Sequence, residues 1–125
     1  MKKPLFFTMF FLFALQIFAK PIDIESIETF ENALKQENKL LIFDMYADWC
    51  RPCKLLDPIL TEISNENQKV QFYRINIDKQ REIAAAFGIR NIPLVLFFKN
   101  GKFIDGLLGL HSKETYVKAI EILDK

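Results

Sequence analysis

Uninterrupted hydrophobic runs along this chain predict buried strands, whereas spaced apolar positions between those runs predict helices. Five segments are predicted to be strands: 22–24, 40–47, 70–77, 94–98 and 103–108. The runs 40–47 and 94–98 are nearly all apolar, which is typical of central strands covered on both faces. Asn100-Gly101 separates the last two strands and predicts a hairpin turn between them.

Four segments with apolar residues at helical spacing alternate with these strands. Ser26 and Ser112 are predicted to cap the first and last helices, and Gly88 to end the short third one over 79–87. The longest helix follows Cys53, with Pro58 expected to kink it. Its apolar stripe is predicted to be Leu55, Leu56, Ile59, Leu60 and Ile63. The order β-α-β-α-β-α-β-β-α predicts an α/β fold with a mixed sheet between helices on both faces.

The first residues have the pattern of a secretory signal rather than of a folded element. Lys2 and Lys3 precede an apolar run of 14 residues, 5–18, and the small residue Ala19 follows it. A bilayer-spanning helix needs about 20 apolar residues, so this run is short for an anchor. We therefore expect a signal peptide over 1–19, a single domain over 20–125 and a periplasmic or otherwise extracytoplasmic location. Retention of the segment as an uncleaved membrane anchor is the alternative.

Composition narrows the possible functions of the domain. Lys and Arg number 17 against 16 Asp and Glu, so the chain lacks the basic excess of a nucleic-acid-binding protein, and no nucleic-acid partner is expected. Half of the residues are hydrophobic, which excludes a disordered chain. The two cysteines, with a single histidine, are too few for a four-ligand zinc site, so neither a metal nor a cofactor is expected.

The two cysteines are the strongest chemical signal in the sequence. Cys50 and Cys53 lie three positions apart where a buried strand is predicted to lead into a helix. Free amide groups and the helix dipole at such a position stabilise a thiolate, the reactive form of the side chain. Cys50 is therefore expected to be the exposed attacking thiol and Cys53 the resolving thiol.

Three alternative roles for this pair fit the sequence less well. Half of a zinc site lacks its other ligands. A purely structural disulfide would close too small a loop to stabilise the fold much. A haem attachment motif would require histidine directly after Cys53, where Lys54 stands.

The segment Asp44 to Lys54, which carries both cysteines, resembles the active-site segment of the thioredoxin family. Further resemblances run along the domain: Asn76-Ile77-Asp78, Phe87-Gly88-Ile89, Asn91-Ile92-Pro93, Phe98-Lys99-Asn100-Gly101 and Gly109. The resemblance implies a thioredoxin fold, with Cys50 as nucleophile and Cys53 as resolving cysteine. It also implies that Trp49 borders the site, that Pro93 is the family's cis-proline, and that the Ile92 backbone pairs with an extended substrate.

Asp44 is an acidic residue within a predicted central strand, where burial is costly and raises the pKa of a carboxyl group. The resemblance implies that Asp44 helps to move the proton of the resolving cysteine. Arg51, Pro52 and Arg74 are the residues expected to tune the site. Arg51 stands where thioredoxins usually have Gly and Arg74 where they usually have Lys. If Arg74 approaches Asp44, it is expected to hold that acid ionised.

The segment 107–111 leaves one question open and suggests no chemistry of its own. Leu107, Leu108 and Leu110 surround Gly109 and flank either a substrate groove or the core. His111 is expected to be a surface or loop residue without a role.

These features together lead us to expect an exported thiol–disulfide oxidoreductase that reduces disulfides in other exported proteins and acts as a monomer. Apocytochrome c before haem attachment is one expected substrate, and a membrane thiol transporter is the expected electron donor. A disulfide donor is the first alternative, which the cation Arg51 favours. Against it, the segment 77–93 has no room for the large helical insertion of known exported oxidases. A non-enzymatic binding or chaperone module is the second alternative, which the presence of both cysteines opposes.

Overall fold

The computed structural model describes residues 19–125, so the predicted signal segment lies outside the described residues except for Ala19. The described part contains five strands and four helices in the predicted order. The elements are β1 (Ile22–Asp23), α1 (Ile27–Leu34), β2 (Leu41–Tyr46), α2 (Arg51–Glu66), β3 (Gln71–Asn76), α3 (Arg81–Ala86), β4 (Leu94–Lys99), β5 (Lys102–Leu108) and α4 (Lys113–Leu123). Among these helices, none has the length and apolar character needed to cross a membrane.

The strands form one mixed sheet in the order β1-β3-β2-β4-β5, which confirms the predicted fold class. The central strand β2 runs parallel to β3 and antiparallel to β4. The turn between β4 and β5 places Asn100 at φ 51° and Gly101 at φ 74°. Both residues thus adopt the left-handed backbone that an Asn-Gly hairpin turn requires.

Helices cover the sheet on both faces. Successive β2 side chains point to opposite sides of the sheet, so this apolar strand presents hydrophobic side chains to both faces. Phe43 and Met45 pack in one core with Phe30 of α1 and Ile83 of α3. Leu40 and Ile42 belong to the other core, which α2 and α4 close with Leu56, Leu60, Ile63, Tyr116 and Ile120. Asp44 has the same parity as Ile42, so it lies on the α2 and α4 side of the sheet.

The prediction of the α2 stripe is wrong at one position. Leu56 and Leu60 are buried as expected, whereas Leu55 is 53% exposed. Successive helix residues differ by about 100° in direction, so the face that buries Leu56 turns its neighbour towards solvent. The helix continues through Pro58, whose missing N–H removes one backbone hydrogen bond from its interior.

Candidate active site

The two cysteines lie where the chain leaves β2 and starts α2. Cys50 is the N-cap residue of this helix, and its Sγ accepts a hydrogen bond from the Cys53 backbone N–H at 3.3 Å. Pro52 occupies the first turn, where a residue without an N–H costs no hydrogen bond. The two sulfurs are joined in a disulfide. When that bond is reduced, the same amide group and the helix dipole are in place to stabilise a Cys50 thiolate.

Cys50 is far less accessible in the disulfide form than its place in the sequence predicts. Its exposed fraction is 4%, against 1% for Cys53, so the expectation of an exposed attacking residue is wrong for this state. The physical reason is that Cys50 is bonded back to Cys53 and packs in a small cluster with Ala47, against which Tyr46, Ile77 and Ile92 also pack. Cys50 nonetheless remains the more accessible of the two cysteines.

The loop before β4 closes one side of this cluster. Ile92 packs against the cysteines, and the Ile92–Pro93 peptide bond is cis, as the family resemblance implies. The Pro93 carbonyl accepts a hydrogen bond from the Gly109 N–H at 2.8 Å. Leu108 and Leu110, on either side of Gly109, are exposed, whereas Leu107 packs against the core. Leu107 is therefore part of the core, whereas Leu108 and Leu110 lie on the surface.

Trp49 is exposed beside the disulfide and is held by a polar network at the end of β3. Its indole N–H donates to Asp78 at 2.9 Å, and the Asp78 backbone N–H donates to the Asn76 side-chain oxygen at 3.0 Å. The buried Asn76 also donates its amide N–H to Asp48 at 3.4 Å. The family resemblance includes Asn76 and Asp78 but assigns neither of them a role. The available signal for this network in the sequence was the polar residue Asn76 at the end of the buried strand β3.

Asp44 is a buried acid in the middle of the molecule, as its strand position predicts. Its exposed fraction is 2%, and neither carboxyl oxygen has a hydrogen-bond partner within residues 19–125. Burial raises the pKa of Asp44 from 3.8 to about 7, partly offset by the positive charge of Arg74. The negative charge of Asp57 raises the pKa of Asp44 further. At neutral pH this carboxyl group is therefore poised between its two protonation states.

Arg74 does approach Asp44, with 3.8 Å between Nε and Oδ2. It does not hold the acid ionised as expected, because the cost of burying the carboxylate outweighs its attraction to the cation. The same Nε lies closer to Asp57, at 3.4 Å from Oδ1, and the guanidinium stacks 3.9 Å above the Tyr46 ring. Neither Asp57 nor Tyr46 was predicted to belong to the site. Asp57 lies four residues after Cys53, which places the two on one helix face, and this spacing was the available signal.

A cleft of about 230 Å³ opens beside the resolving cysteine. It is lined by Tyr46, Ala47, Asp48, Cys53, Lys54, Asp57 and Arg74. The wall of the cleft next to the buried Cys53 thus carries both cations and carboxylates. Arg51 lies on the exposed surface of the first helical turn.

The groups that this site offers for chemistry are two sulfur atoms and a buried carboxyl group. Within residues 19–125, no three His, Cys, Asp or Glu side chains are grouped in a way that could hold a metal ion. His111 lies in the loop before α4, where its Nε2 is 2.7 Å from the Leu108 carbonyl oxygen. The site can therefore exchange a disulfide with another sulfur and move a proton next to it.

A family model described as thioredoxin matches residues 22–122 of the chain. Thioredoxin from Rickettsia bellii is 39% identical over 94 residues, which cover 74% of this chain and 90% of that protein. The same fold is seen in the crystal structure of the Malassezia sympodialis thioredoxin, with a TM-score of 0.77 and 33% identity over 86% of this chain and 93% of that one. The oxidised form of mitochondrial thioredoxin 3 from Saccharomyces cerevisiae has a TM-score of 0.75 and 28% identity, covering 82% and 95% of the two chains.

Proposed function

The chain belongs to the thioredoxin family, and we propose from that premise that it is an exported oxidoreductase that reduces disulfides in other exported proteins. Thioredoxins are thiol–disulfide oxidoreductases, and this chain has the bonded cysteine pair at the position of the family's active site. One observation carries the proposed chemistry: Cys50 caps α2 and accepts the Cys53 N–H, so a thiolate forms where helix amides stabilise it.

The proposed reaction begins with the reduced protein. The Cys50 thiolate attacks one sulfur of a substrate disulfide, a mixed disulfide forms, and the other substrate sulfur leaves as a thiolate. The Cys53 thiol then gives its proton to Asp44 and attacks the Cys50 Sγ. This step closes the Cys50–Cys53 disulfide and releases the second substrate thiolate. Two electrons have passed from the protein to the substrate, and two protons complete its thiols.

Substrate binding is proposed to use the surface around the cis-proline loop. Ile92 packs next to the cysteines, so its backbone is suitably placed to pair with an extended segment of a substrate. The exposed side chains Trp49, Leu108 and Leu110 offer apolar surface to the residues that flank a substrate cysteine. Such a surface suits an unfolded or extended substrate, a class that includes apocytochrome c before haem attachment.

The direction of the reaction is proposed to be reduction rather than disulfide donation. The only helix between Ile77 and Pro93 in the described chain is α3, six residues long. This supports the expectation that the large helical insertion of the exported oxidases is missing. Arg51, the feature that favours an oxidant, is exposed, and water and salt screen an exposed charge. We therefore assign Arg51 a small effect on the Cys50 thiolate.

The compartment and partners in this proposal rest on the amino-terminal sequence. The basic start, the apolar run 5–18 and Ala19 support export through a signal peptide. In an oxidising compartment a reductant needs a continuous supply of electrons. We propose that a membrane thiol transporter supplies them and that the protein works as a monomer.

A trapping experiment in the source cell tests substrate class and compartment together. Cys53→Ser stops the resolving step, so exported substrates should accumulate as mixed disulfides with Cys50 in the extracytoplasmic fraction. Cys50→Ser is the matched control and should trap few. Adducts found only in the cytoplasm would contradict export. Trapping by Cys50→Ser but not by Cys53→Ser would show that the two sulfurs have the opposite roles.

A further inference from the structure

Arg74 lies between three groups that compete for its guanidinium. Asp44 approaches its Nε from inside the protein at 3.8 Å, and Asp57 approaches the same atom from the solvent side at 3.4 Å. The Tyr46 ring stacks against the guanidinium at 3.9 Å, which restricts the movement of the group out of its plane. Since Nε carries a single N–H, it cannot bond well to both carboxyl groups at once. The Nε N–H has no hydrogen-bond partner in the described chain, so both contacts are ion pairs, and the shorter of the two is with Asp57.

We propose that Asp57 is a positioning residue, which holds the Arg74 guanidinium away from Asp44 so that Asp44 can exchange a proton with Cys53. Asp57 is 44% exposed, so it forms this contact without itself being buried. It lines the cleft that also contains Cys53 and Lys54, and it follows Cys53 by one helical turn. A carboxylate at this place therefore acts on the Asp44 carboxyl through Arg74.

Among the groups around Asp44, Arg74 is the one through which Asp57 can act in addition to its own charge. From β3, Arg74 is the cation that faces the carboxyl group. From α4 comes Tyr116, whose hydroxyl donates to the Gly109 carbonyl oxygen at 3.1 Å instead of to Asp44. From β4, the residue paired with Asp44 is the apolar Val95. Consistent with this arrangement, the positive charge of Arg74 lowers the pKa of Asp44 and the negative charge of Asp57 raises it.

Asp57 thereby enters the proposed resolving step, and its role there rests on the proton role proposed for Asp44. In that step the Cys53 S–H bond breaks, and its proton passes to a carboxyl oxygen of Asp44. The resulting thiolate forms the Cys53–Cys50 bond while the substrate thiolate leaves. A guanidinium fully paired with Asp44 would lower the basicity of the carboxylate and slow the proton transfer.

The test is to titrate Asp44 by the carbon NMR signal of its carboxyl group in the disulfide form, where no thiol titrates. In Asp57→Ala the guanidinium is released towards Asp44, and the titration midpoint should fall by about one pH unit. Glu62→Ala is the matched control, since it removes an exposed carboxylate of the same helix that pairs with Lys113 instead, and the midpoint should stay unchanged. An unchanged midpoint in Asp57→Ala would overturn the proposal.

A double-mutant cycle separates positioning from simple charge. In an Arg74→Met background only the direct charge effect of Asp57 on Asp44 remains, so Asp57→Ala should lower the Asp44 midpoint by clearly less than it does in the parent. An equal fall in both backgrounds would mean that Asp57 acts only through its own charge, which also overturns the proposal. The functional readout starts from a mixed disulfide between Cys50 and thionitrobenzoate. Cys53 expels thionitrobenzoate when it attacks Cys50, and the pH dependence of the rate of that step should shift together with the Asp44 midpoint. A moved midpoint with an unmoved profile would contradict the proton role of Asp44 and not the positioning by Asp57.

Discussion

At the scale of single residues, this protein buries a carboxyl group in the strand that leads to its reactive site. Asp44 is buried in the central strand with no hydrogen-bond partner in the described chain, a position that an apolar residue could fill at lower cost. Its neighbour Arg74 relieves only part of that cost, because the cost of burying the carboxylate outweighs its attraction to the cation. Retaining such a group is consistent with a task in proton transfer, and it has a measurable consequence for stability.

The stability of the disulfide form should fall as pH rises from about 4 to about 7. In this window the folded protein keeps a proton on Asp44, whose pKa is raised to about 7, while the unfolded chain has lost it. The folded state then binds more protons than the unfolded state, so its stability decreases with pH. The loss is of the order of 4 kcal/mol over the window, since one pKa unit corresponds to about 1.36 kcal/mol. Urea unfolding at pH 5 and pH 8 covers about two pKa units of this window and should show a difference of about 2.7 kcal/mol.

Asp44→Asn keeps the shape of the side chain and removes its titration. This variant should lose most of the pH dependence between pH 5 and pH 8 and be more stable than the parent at pH 8. Glu31→Gln, an exposed acid of α1, is the control and should leave the pH dependence as it was. A pH dependence in Asp44→Asn equal to that of the parent would show that other groups cause it.

At the scale of elements, the helix α2 determines both the chemistry and much of one core. Its first turn holds Cys50 and Cys53, its middle holds Asp57, and its inner face packs Leu56 and Leu60 against the sheet. Since these groups belong to one rigid element, packing on the inner face fixes the positions of the sulfurs at its end.

Two adjacent residues test which face of α2 carries the packing. Leu56→Ala should cost about 2–5 kcal/mol of unfolding free energy, because it leaves a cavity in a fully buried site. Leu55→Ala should change that free energy by about 0.5 kcal/mol or less, as expected for an exposed position. Urea unfolding of both variants under oxidising conditions gives the comparison. Equal losses would mean that Leu55 is also part of the packed face.

The elements could be predicted from the sequence because each has a local physical signature. The apolar run 40–47, the Asn100-Gly101 turn and the serine caps act within a few residues of the chain, and the structure has all of them. Within the site, the cysteine pair could be predicted, because the spacing of Cys50 and Cys53 is itself a local pattern. The pairing of Arg74 with Asp57 was not, because it joins β3 to α2 across 17 positions and depends on packing that no local pattern records.

At the scale of the whole molecule, the reduction potential of the protein depends on how much the fold stabilises its thiolate. The N-terminus of α2 favours the reduced form by placing the Cys53 amide against the Cys50 sulfur. Arg51 adds a positive charge to the same turn, but it does so on the exposed surface. Both effects stabilise the thiolate and so make the pair more oxidising, and the size of their sum bears on the direction in which electrons flow between this protein and its partners.

The reduction potential of the Cys50–Cys53 pair should lie closer to about −270 mV, as for thioredoxin, than to about −120 mV, as for a strong oxidant. Arg51→Gly should make it more negative by less than about 30 mV, since an exposed charge contributes about 1 kcal/mol or less and 30 mV corresponds to about 1.4 kcal/mol. Equilibration of the parent and the variant with defined dithiol buffers measures both values. A parent potential near the oxidant value, shifted strongly by Arg51→Gly, would show that the charge of Arg51 reaches the thiolate unscreened. The protein would then donate disulfides, and an electron acceptor, instead of a membrane thiol donor, would have to regenerate it.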